Sequence, residues 1–344
     1  MKKLAVILSA AVMALAFGTA SNAATTELSM QSNFGPGHVL YREVQAPWAA
    51  SFKDKSNGSL IINIFAMGSI LEDKEVYTGL KSGMIDIAPF NAYLLPKEFP
   101  LSTLATLPML YNTSTEGTKV FWKWYDELPG YKEAITDPGP IIAMWAGAPC
   151  GFLSVNTPVR TPADIAGKRV LCSEASYGDL VKKLGGIPVF VSMGDIYVGL
   201  QRGMGEMIYT ALPFASSMKL QEVVKYVTPV AIRSSLLQLN FSQTICDMIP
   251  PEASKMILDN SGRELSLKHA AVLDRNVSEV TEQFKASGVE FITLTEEEKK
   301  AFQEISQDLI SEITIPTLKA GGVKEPEKTI ELARKLAEEI TNAQ

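Results

Sequence analysis

The chain has 344 residues, and 32 Lys and Arg against 38 Asp and Glu give it a formal net charge of −6 at neutral pH. This acidic balance disfavours nucleic acid and anionic membrane surfaces as partners. The length is enough for two lobes of ordinary domain size. Cys150, Cys172 and Cys246 are too few for a disulfide scaffold, and three buried thiols are favoured over one oxidised pair.

The amino terminus has the pattern of a secretory signal peptide. A cationic MKK precedes the uncharged run Leu4–Phe17, and small residues follow up to Ala23. The run is shorter than the roughly 20 residues that span a bilayer. We therefore expect a mature protein that begins near Ala24 and is exported to the periplasm.

Strands and helices alternate through the first two thirds of the chain. Strands are predicted at Glu27–Ser32, Leu60–Phe65, Ile141–Trp145, Lys168–Cys172 and Pro188–Val191, and helices at Val44–Phe52 and Tyr177–Leu184. Such alternation implies parallel βαβ units, and hence an α/β fold.

Two segments of the chain repeat one another. EVYTGLKSGMIDIA (75–88) and DIYVGLQRGMGEMI (195–208) share Tyr, Gly, Leu, Gly and Met at matching positions. Each pattern predicts a short helix ended by a glycine and then a short strand. Two copies indicate two similar lobes. The acids Asp86 and Glu206 also recur, which suggests a shared structural hydrogen bond more than ligand contact.

The last hundred residues are predicted to be mostly helical. One long helix is expected from Pro251 to about Ser287, ended by Gly288. A capping box of Thr295 and Glu298 precedes a second helix, and Thr329–Ile340 forms a third, amphipathic one. These helices are expected to pack against the lobes or against a second subunit.

Recognisable catalytic and metal-binding motifs are missing from the sequence. The two histidines, His38 and His269, have no Cys or carboxylate at metal-ligand spacing. No G-x-S-x-G, Walker A or dinucleotide-binding glycine pattern follows a strand, and basic residues are not interleaved with aromatics. We therefore predict no metal and no cofactor. A receptor is favoured over the competing class, an exported hydrolase or lyase.

Several stretches together resemble one family. TPADIAGKRV (161–170), LGGIPVFVSMGDIYVGLQRGMGEMIY (184–209), ILEDKEVYTGLKSGMIDIA (70–88) and LATLPMLY (104–111) resemble the DctP-type solute receptors of tripartite ATP-independent periplasmic (TRAP) transporters. The resemblance runs from about Thr26 to the C-terminal helices. It implies two α/β lobes with mixed sheets, joined by crossing strands and a long helix, with a ligand cleft between them.

The resemblance also implies an organisation and a set of partners. Residues 1–23 are the signal peptide, 24–147 lobe one, 148–233 lobe two, and 234–344 the return to lobe one with the C-terminal helices. The receptor, a monomer or homodimer, delivers a small molecule to a small and a large membrane subunit. An ABC-type receptor and an exported sensor domain are the remaining alternatives.

Candidate ligand-binding residues follow from strand direction, because ligands of open α/β sheets bind beyond the carboxyl ends of the strands. Those that follow strands or lie at strand ends are Asn91, Tyr93, Trp145, Ser173, Tyr209, Thr210 and Phe214. Asn33 and Phe34 are predicted lids over the cleft, and His38 is a weaker candidate.

The stretch ADIAGKRVLCSEAS (163–176) bears on the charge of the ligand. The resemblance implies an arginine that grips a carboxylate at a position that here holds Leu171. Arg169 shares a strand face with Leu171, because side chains alternate along a strand. If Arg169, or the other cationic candidate Arg233, reaches the cleft, the ligand is a small organic acid, which the family favours. If Leu171 faces the ligand, a neutral, aromatic or amine-bearing solute fits.

Overall fold

The computed structural model describes residues 25–173 and 175–343, so the predicted signal peptide lies outside the described residues. The strands are β1 (Thr26–Gln31), β2 (Leu60–Phe65), β3 (Ile87–Pro89), β4 (Ile141–Ala146), β5 (Cys150–Ser154), β6 (Arg169–Cys172), β7 (Ile187–Phe190), β8 (Met207–Ala211), β9 (Tyr226–Pro229), β10 (Leu236–Phe241) and β11 (Glu290–Phe291).

Helices separate most of these strands. They are α1 (Ala46–Lys55), α2 (Asp73–Ser82), α3 (Ser114–Glu127), α4 (Tyr131–Thr136), α5 (Ala175–Lys183), α6 (Ile196–Gln201), α7 (Leu212–Ser217), α8 (Gln243–Met248), α9 (Pro251–Asp259), α10 (Arg263–Ala286), α11 (Glu296–Leu309), α12 (Ile315–Ala320) and α13 (Pro326–Thr341). One π-helical turn, Tyr41–Gln45, leads into α1, and another, Ile310–Thr314, joins α11 to α12.

The strands form two mixed sheets, one in each lobe. The sheet of lobe one has the order β2-β1-β3-β10-β4, and that of lobe two has the order β11-β9-β5-β8-β6-β7. In lobe one β1 runs parallel to β2 and β3, whereas β10 is antiparallel to both of its neighbours. In lobe two β6 is parallel to β7 and β8, and β5 is antiparallel to β8 and β9. The predicted α/β fold with two similar lobes is confirmed.

The repeated segments occupy equivalent places in the two lobes. Gly83 and Gly203, which follow α2 and α6, have φ angles of 72° and 71°, a left-handed conformation that glycine adopts without strain. The Asp86 carboxylate accepts the backbone N–H of Ser29 at 2.6 Å, and the Glu206 carboxylate accepts that of Arg169 at 3.1 Å. Each acid thus ties the start of its strand to the neighbouring parallel strand. The predicted shared structural hydrogen bond is confirmed.

Within the described residues the chain passes between the lobes at three places before β11, and the turn between α11 and α12 is a fourth crossing. Residues 147–149 lead from β4 to β5, and residues 230–235 return from β9 to β10. Helix α10 is the third connection, because Leu273 packs in a lobe-one core whereas Phe284 packs in a lobe-two core. Asp274 fixes α10 against lobe one by accepting the N–H groups of Ser114 and Thr115, at 2.7 and 3.0 Å, at the start of α3.

The prediction of one helix from Pro251 to Ser287 is wrong, because the chain breaks into α9 and α10 at residues 260–262. Gly262 has a φ of 82°, which does not continue a right-handed helix. Its N–H donates to the Ile142 carbonyl of β4 at 2.7 Å. The indole of Trp48 donates to the Asn260 carbonyl at 2.8 Å. These tertiary hydrogen bonds satisfy the interrupted backbone.

The C-terminal helices pack on both lobes. Thr295 and Glu298 form the predicted capping box at the start of α11. Phe302 joins the core of lobe two, whereas Leu318 and Leu336 join that of lobe one. The expectation that these helices pack against the lobes is confirmed.

Two buried tyrosines hold the return segment 230–235. The hydroxyl of Tyr111, from lobe one, donates to the Ser235 carbonyl and accepts the Ser235 N–H, both at 3.1 Å. The hydroxyl of Tyr209, from lobe two, donates to the Val230 carbonyl at 3.1 Å and accepts the Arg233 N–H at 3.3 Å. Burial raises the pKa of both tyrosines above the ordinary value. Each lobe therefore holds one end of the return segment through the hydroxyl of a buried tyrosine.

We expect Tyr209→Phe to lower the free energy of unfolding by about 1–3 kcal/mol, because the Arg233 N–H loses this acceptor and the Val230 carbonyl, which also accepts the Ile232 N–H, loses one of its two donors. Tyr197→Phe is the matched control, since its exposed hydroxyl contacts Glu222 at the surface. The control is expected to change stability by less than about 0.5 kcal/mol. Urea unfolding measures both, and equal losses would contradict the clamp.

Candidate ligand-binding site

A cavity of about 230 Å³ lies between the two lobes. Asn33 and Asn91 reach it from just beyond β1 and β3 of lobe one, and Ser173 and Thr210 reach it from the ends of β6 and β8 of lobe two. These are the carboxyl ends of strands, where ligands of open α/β sheets bind. The volume suits a small solute, being below the roughly 300 Å³ at which pockets for drug-sized molecules begin.

Eight of the predicted site residues line this cavity. They are Asn33, Phe34, Asn91, Tyr93, Trp145, Ser173, Thr210 and Phe214. The structure brings together residues that are far apart in sequence and belong to both lobes. Their contact with a ligand stays a prediction.

Arg169 does not line the cavity. It begins β6, whereas Ser173 follows the other end of that strand, four residues or about 13 Å away. Its guanidinium donates to the carbonyls of Met204 and Gly203 at 3.1 and 3.2 Å, and Glu206 lies 4.0 Å away. With half of its side chain exposed, Arg169 holds the turn after α6. The placement of Arg169 in the cleft is therefore corrected.

Leu171 and Tyr209 belong to the core of lobe two and do not line the cavity either. Leu171 is 1% exposed and packs against Gly205, where an added Cβ would lie 2.5 Å from its side chain. Tyr209 is turned toward the return segment that it clamps. In this structure neither Leu171 nor Arg169 lines the cavity between the lobes.

Sequence reasoning missed part of the cavity wall. The further lining residues include Met67, Leu94, Gly147, Ala148, Cys150, Tyr177, Met193, Ser235, Leu237 and Leu273. Tyr177 lies in the helix that follows β6, so the strand-end rule would have found it. The residues of the two crossing segments and of α10 carry no local signal, because only the packing of the lobes brings them here.

The cavity wall is aromatic and uncharged as far as the described residues go. Phe34, Tyr93, Tyr177 and Phe214 supply rings, Trp145 is fully buried at the edge of the cavity, and the polar groups are amides, hydroxyls, a thiol and an imidazole. No Lys, Arg, Asp or Glu lines the cavity among residues 25–173 and 175–343. Arg233 lies behind the wall, with its guanidinium 5.9 Å from the centre of the Tyr177 ring. Such a wall favours a flat, apolar body with few polar groups.

His38 is held in one neutral form. Its Nδ1 accepts the backbone N–H of Leu40 at 3.2 Å, so the ring proton belongs on Nε2. Its ring stacks on Phe34 with centroids 3.8 Å apart and planes 6° apart. Burial, and secondarily the charge of Arg42, lowers the pKa of His38 to about 4. The side chain is therefore an uncharged hydrogen-bond donor at neutral pH.

A buried network supports the cavity from behind. The Ser32 hydroxyl donates to Gln45 Oε1 at 2.5 Å. The other end of the Gln45 amide, Nε2, lies 3.5 Å from Asn33 Oδ1 and 3.4 Å from His269 Nε2. His269 in turn stacks on Trp145 with centroids 4.2 Å apart. Two wall residues, Asn33 and Trp145, are thus braced by the same buried groups.

The tautomer of His269 sets the direction of this network. Its Nδ1 lies 2.8 Å from the Leu265 carbonyl, which only accepts, so Nδ1 carries the proton and Nε2 is an acceptor. Gln45 Nε2–H must then donate to His269. Burial lowers the pKa of His269 to about 4, against a smaller opposing effect of the Leu265 carbonyl.

We expect acid to destabilise the protein between pH 6.5 and 4. The folded protein keeps both histidines neutral down to about pH 4, whereas the unfolded chain protonates them near 6.5, so the stability present above 6.5 is lost as pH falls. Each histidine contributes a slope of about 1.4 kcal/mol per pH unit. Urea unfolding between pH 5 and 6 measures how steeply the free energy of unfolding changes with pH. The part of that slope due to histidines should be about half as large in His269→Phe as in the wild type. An undiminished slope would contradict a neutral, buried His269.

A second cavity, of about 270 Å³, lies between α11, α13 and the loop Pro108–Leu110. Arg334, Glu338 and Gln303 line it. It contains none of the predicted site residues, and the carboxyl ends of the parallel strands open elsewhere. We therefore take the cavity between the lobes as the candidate site.

Comparison with protein families gives one match that covers most of the chain. The family model of bacterial extracellular solute-binding protein, family 7 (DctP), matches residues 30–316. A curated relative, the 2,3-diketo-L-gulonate-binding periplasmic protein YiaO of Escherichia coli, is 20% identical over 272 residues, which are 78% of this chain and 81% of the relative.

Solved structures share the fold over nearly the whole chain. A TRAP solute-binding protein from Rhodoferax ferrireducens, in complex with copurified benzoate, has a TM-score of 0.80 at 16% identity and covers 92% of this chain and 99% of its own. A marine metagenome TRAP protein specific for aromatic acids, with 3-hydroxybenzoate, has a TM-score of 0.81 at 17% identity and the same coverage. Across residues 25–173 and 175–343, no helix has the length and apolar character to cross a membrane.

Proposed function

This chain belongs to bacterial extracellular solute-binding protein family 7, the DctP family, and we propose that it is the periplasmic receptor of a TRAP transporter for a small aromatic carboxylate. The cavity between the lobes is the observation that carries this proposal. A ligand in it touches Asn33 and Asn91 of lobe one and Thr210 and Phe214 of lobe two. The molecule therefore favours the closed arrangement of the lobes.

The membrane partner distinguishes the closed arrangement of the two lobes from the open one. A ligand shifts a two-state equilibrium only through its differential affinity for the two states. A shift from 1:99 to 99:1 needs about 5.5 kcal/mol. A few hydrogen bonds to a charged ligand, at about 1.5–3 kcal/mol each, supply that difference when they form only in the closed state. The crossing segments and α10 are the places where the lobes pivot.

The aromatic wall and the relatives support the ligand class. The rings of Phe34, Tyr93, Tyr177 and Phe214 surround a space of about 230 Å³, which suits one six-membered ring with a short polar group. Two proteins of the same fold were crystallised with benzoate and 3-hydroxybenzoate. Both ligands combine an aromatic ring with one carboxylate.

A neutral aromatic solute is the second candidate. The observation that favours it is the lack of Lys and Arg among the described residues of the cavity wall. Without a cation in contact, a carboxylate must be held by neutral donors alone, and a carboxamide or a ketone has weaker requirements.

The remaining features of the proposal concern organisation and partners. Residues 1–23 direct export and are removed, 24–147 and 148–233 form the two lobes, and 234–344 return to lobe one and carry the C-terminal helices, with β11 completing the sheet of lobe two. The receptor, a monomer or homodimer, passes its ligand unaltered to a small and a large membrane subunit. It has no enzymatic activity of its own.

Ligand-induced stabilisation tests the receptor function. Protein freed of copurified ligand by unfolding and refolding should be stabilised saturably by benzoate or 3-hydroxybenzoate, and far less by aliphatic acids or amino acids. Ligand at 100 times its Kd adds about 2.7 kcal/mol. Mass spectrometry should recover the ligand unchanged. Chemical conversion would contradict the receptor, and stabilisation by aliphatic ligands alone would contradict the aromatic class.

We expect Arg169→Ala to leave the affinity for the aromatic acid within about twofold, because this side chain faces away from the cavity. Its exposed contacts contribute less than about 1 kcal/mol to stability. The comparison variant is Phe214→Ala, which removes a wall ring and should weaken binding about tenfold. Isothermal titration calorimetry measures both. Loss of binding in Arg169→Ala, with binding kept in Phe214→Ala, would indicate that Arg169 contacts the ligand and would contradict this prediction.

A further inference from the structure

We propose that the carboxylate of the ligand is held by neutral N–H donors of lobe one, Asn33 Nδ2 and His38 Nε2, in place of an arginine. This inference rests on the proposed function and specifies its ligand group. Both residues lie in the loop after β1, and both line the cavity. The polarity of each is fixed by hydrogen bonds behind the wall.

The direction of the Asn33 amide follows from its buried neighbours. His269 must accept from Gln45, as its Nδ1–H is committed to the Leu265 carbonyl. Gln45 Oε1 accepts from Ser32, so Gln45 Nε2 is also the end that meets Asn33. Asn33 Oδ1 is therefore the accepting end, and its NH₂ group is left for the cavity. Among the described residues, Asn33 Nδ2 has no hydrogen-bond partner in the protein.

His38 presents the second donor. Because Nδ1 accepts from the Leu40 backbone, the neutral ring carries its proton on Nε2. Stacking on Phe34 holds the orientation of the ring. No protein atom in the described part of the chain accepts from Nε2. The donor is therefore aligned before any ligand arrives, which reduces the entropy lost on binding.

Asn91 adds an amide oxygen that accepts no hydrogen bond within the described part of the protein. Its Oδ1 is buried and has no hydrogen-bond partner among the described residues. A buried acceptor without a partner destabilises the unliganded protein. A hydroxyl of the ligand, or a water that accompanies it, satisfies this atom, so Asn91 suits a substituent beside the carboxylate.

Neutral donors are sufficient for a carboxylate in such surroundings. Hydrogen bonds to a charged group are stronger than those between neutral groups, and the apolar rings strengthen them further by excluding water. A carboxylate that accepts several N–H groups stays ionised even at low pH. The two arginines that were candidates stand elsewhere, Arg169 at the far end of β6 and Arg233 behind Tyr177.

The direct test is Asn33→Asp, with benzoate and benzamide as the paired probes. The substitution keeps the shape of the side chain but replaces the N–H donors with a carboxylate. Benzoate affinity should fall at least 100-fold through repulsion. Benzamide, whose NH₂ can donate to the new carboxylate, should keep or improve its affinity, so the preference between the two probes inverts. A merely structural role of Asn33 would weaken both probes equally.

His38 is tested by two substitutions that differ in reach. His38→Asn places an amide oxygen where Nδ1 accepts from Leu40 but leaves the position of Nε2 empty, so benzoate affinity should fall about tenfold. His38→Gln extends an NH₂ group to the position of Nε2 and should recover much of that loss. Thermal unfolding of each unliganded variant reports whether it is folded.

Arg233→Gln is the variant that distinguishes recognition of the carboxylate by neutral donors from recognition by an arginine. The account expects Asn33→Asp to invert the probe preference while Arg233→Gln preserves it. An unchanged preference in Asn33→Asp, or loss of benzoate selectivity only in Arg233→Gln, would overturn this inference and leave the receptor function intact. Wild-type protein that binds neither probe nor any other aromatic carboxylate overturns both.

Discussion

A chain of buried, uncharged hydrogen bonds connects the backbone of α10 to the ligand cleft. It runs from the Leu265 carbonyl through His269 and Gln45 to Asn33, and every member has its donor and acceptor ends assigned by the one before. Helix α10 also packs in the cores of both lobes, so this series of hydrogen bonds ties the helix that joins the lobes to the wall of the cavity. Polar networks of this kind are stable only when fully satisfied, which makes a reversal of any amide costly.

The second constraint is the register of β6. The Glu206 carboxylate accepts the Arg169 N–H, and the Arg169 carbonyl accepts the Glu206 N–H, so both backbone groups of Arg169 are tied to the strand β8 side of the sheet. Leu171 is then opposite Val189 of β7 and faces the lobe-two core. A shift by two residues would expose Leu171 and break the bonds to Glu206. The register places Ser173, and neither Arg169 nor Leu171, at the cavity.

Much of the architecture can be predicted from the sequence because it depends on local patterns of residues. The repeated helix–glycine–strand units predicted two similar lobes, and the recurring Asp86 and Glu206 predicted the bonds that bind the strands together. The strand-end rule found Asn91, Ser173 and Thr210 of the cavity wall, and Asn33 was predicted as a lid in the loop after the first strand. These features depend on periodicity and turn chemistry, which a single segment carries.

The failures arise where tertiary contacts decide. Nothing local shows that Gly262 is pulled onto β4 and splits the long helix, or that Gly147 and Leu237 meet in the cleft. Tyr209 follows the strand-end rule yet faces the return segment, because its hydroxyl satisfies two buried backbone groups there. Arg169 was placed by family resemblance, and its side chain instead completes a turn. An arginine that lies close in sequence to the position expected from the family is thus a poor predictor of the charge of the site.

A crystal structure of the protein with bound benzoate tests the central claim most directly. The account predicts the ring between Phe34, Tyr177 and Phe214, with the carboxylate oxygens about 3 Å from Asn33 Nδ2 and His38 Nε2. Arg169 should remain bonded to the carbonyls after α6. A carboxylate paired with an arginine guanidinium, or turned toward Thr210 and away from Asn33, would contradict it.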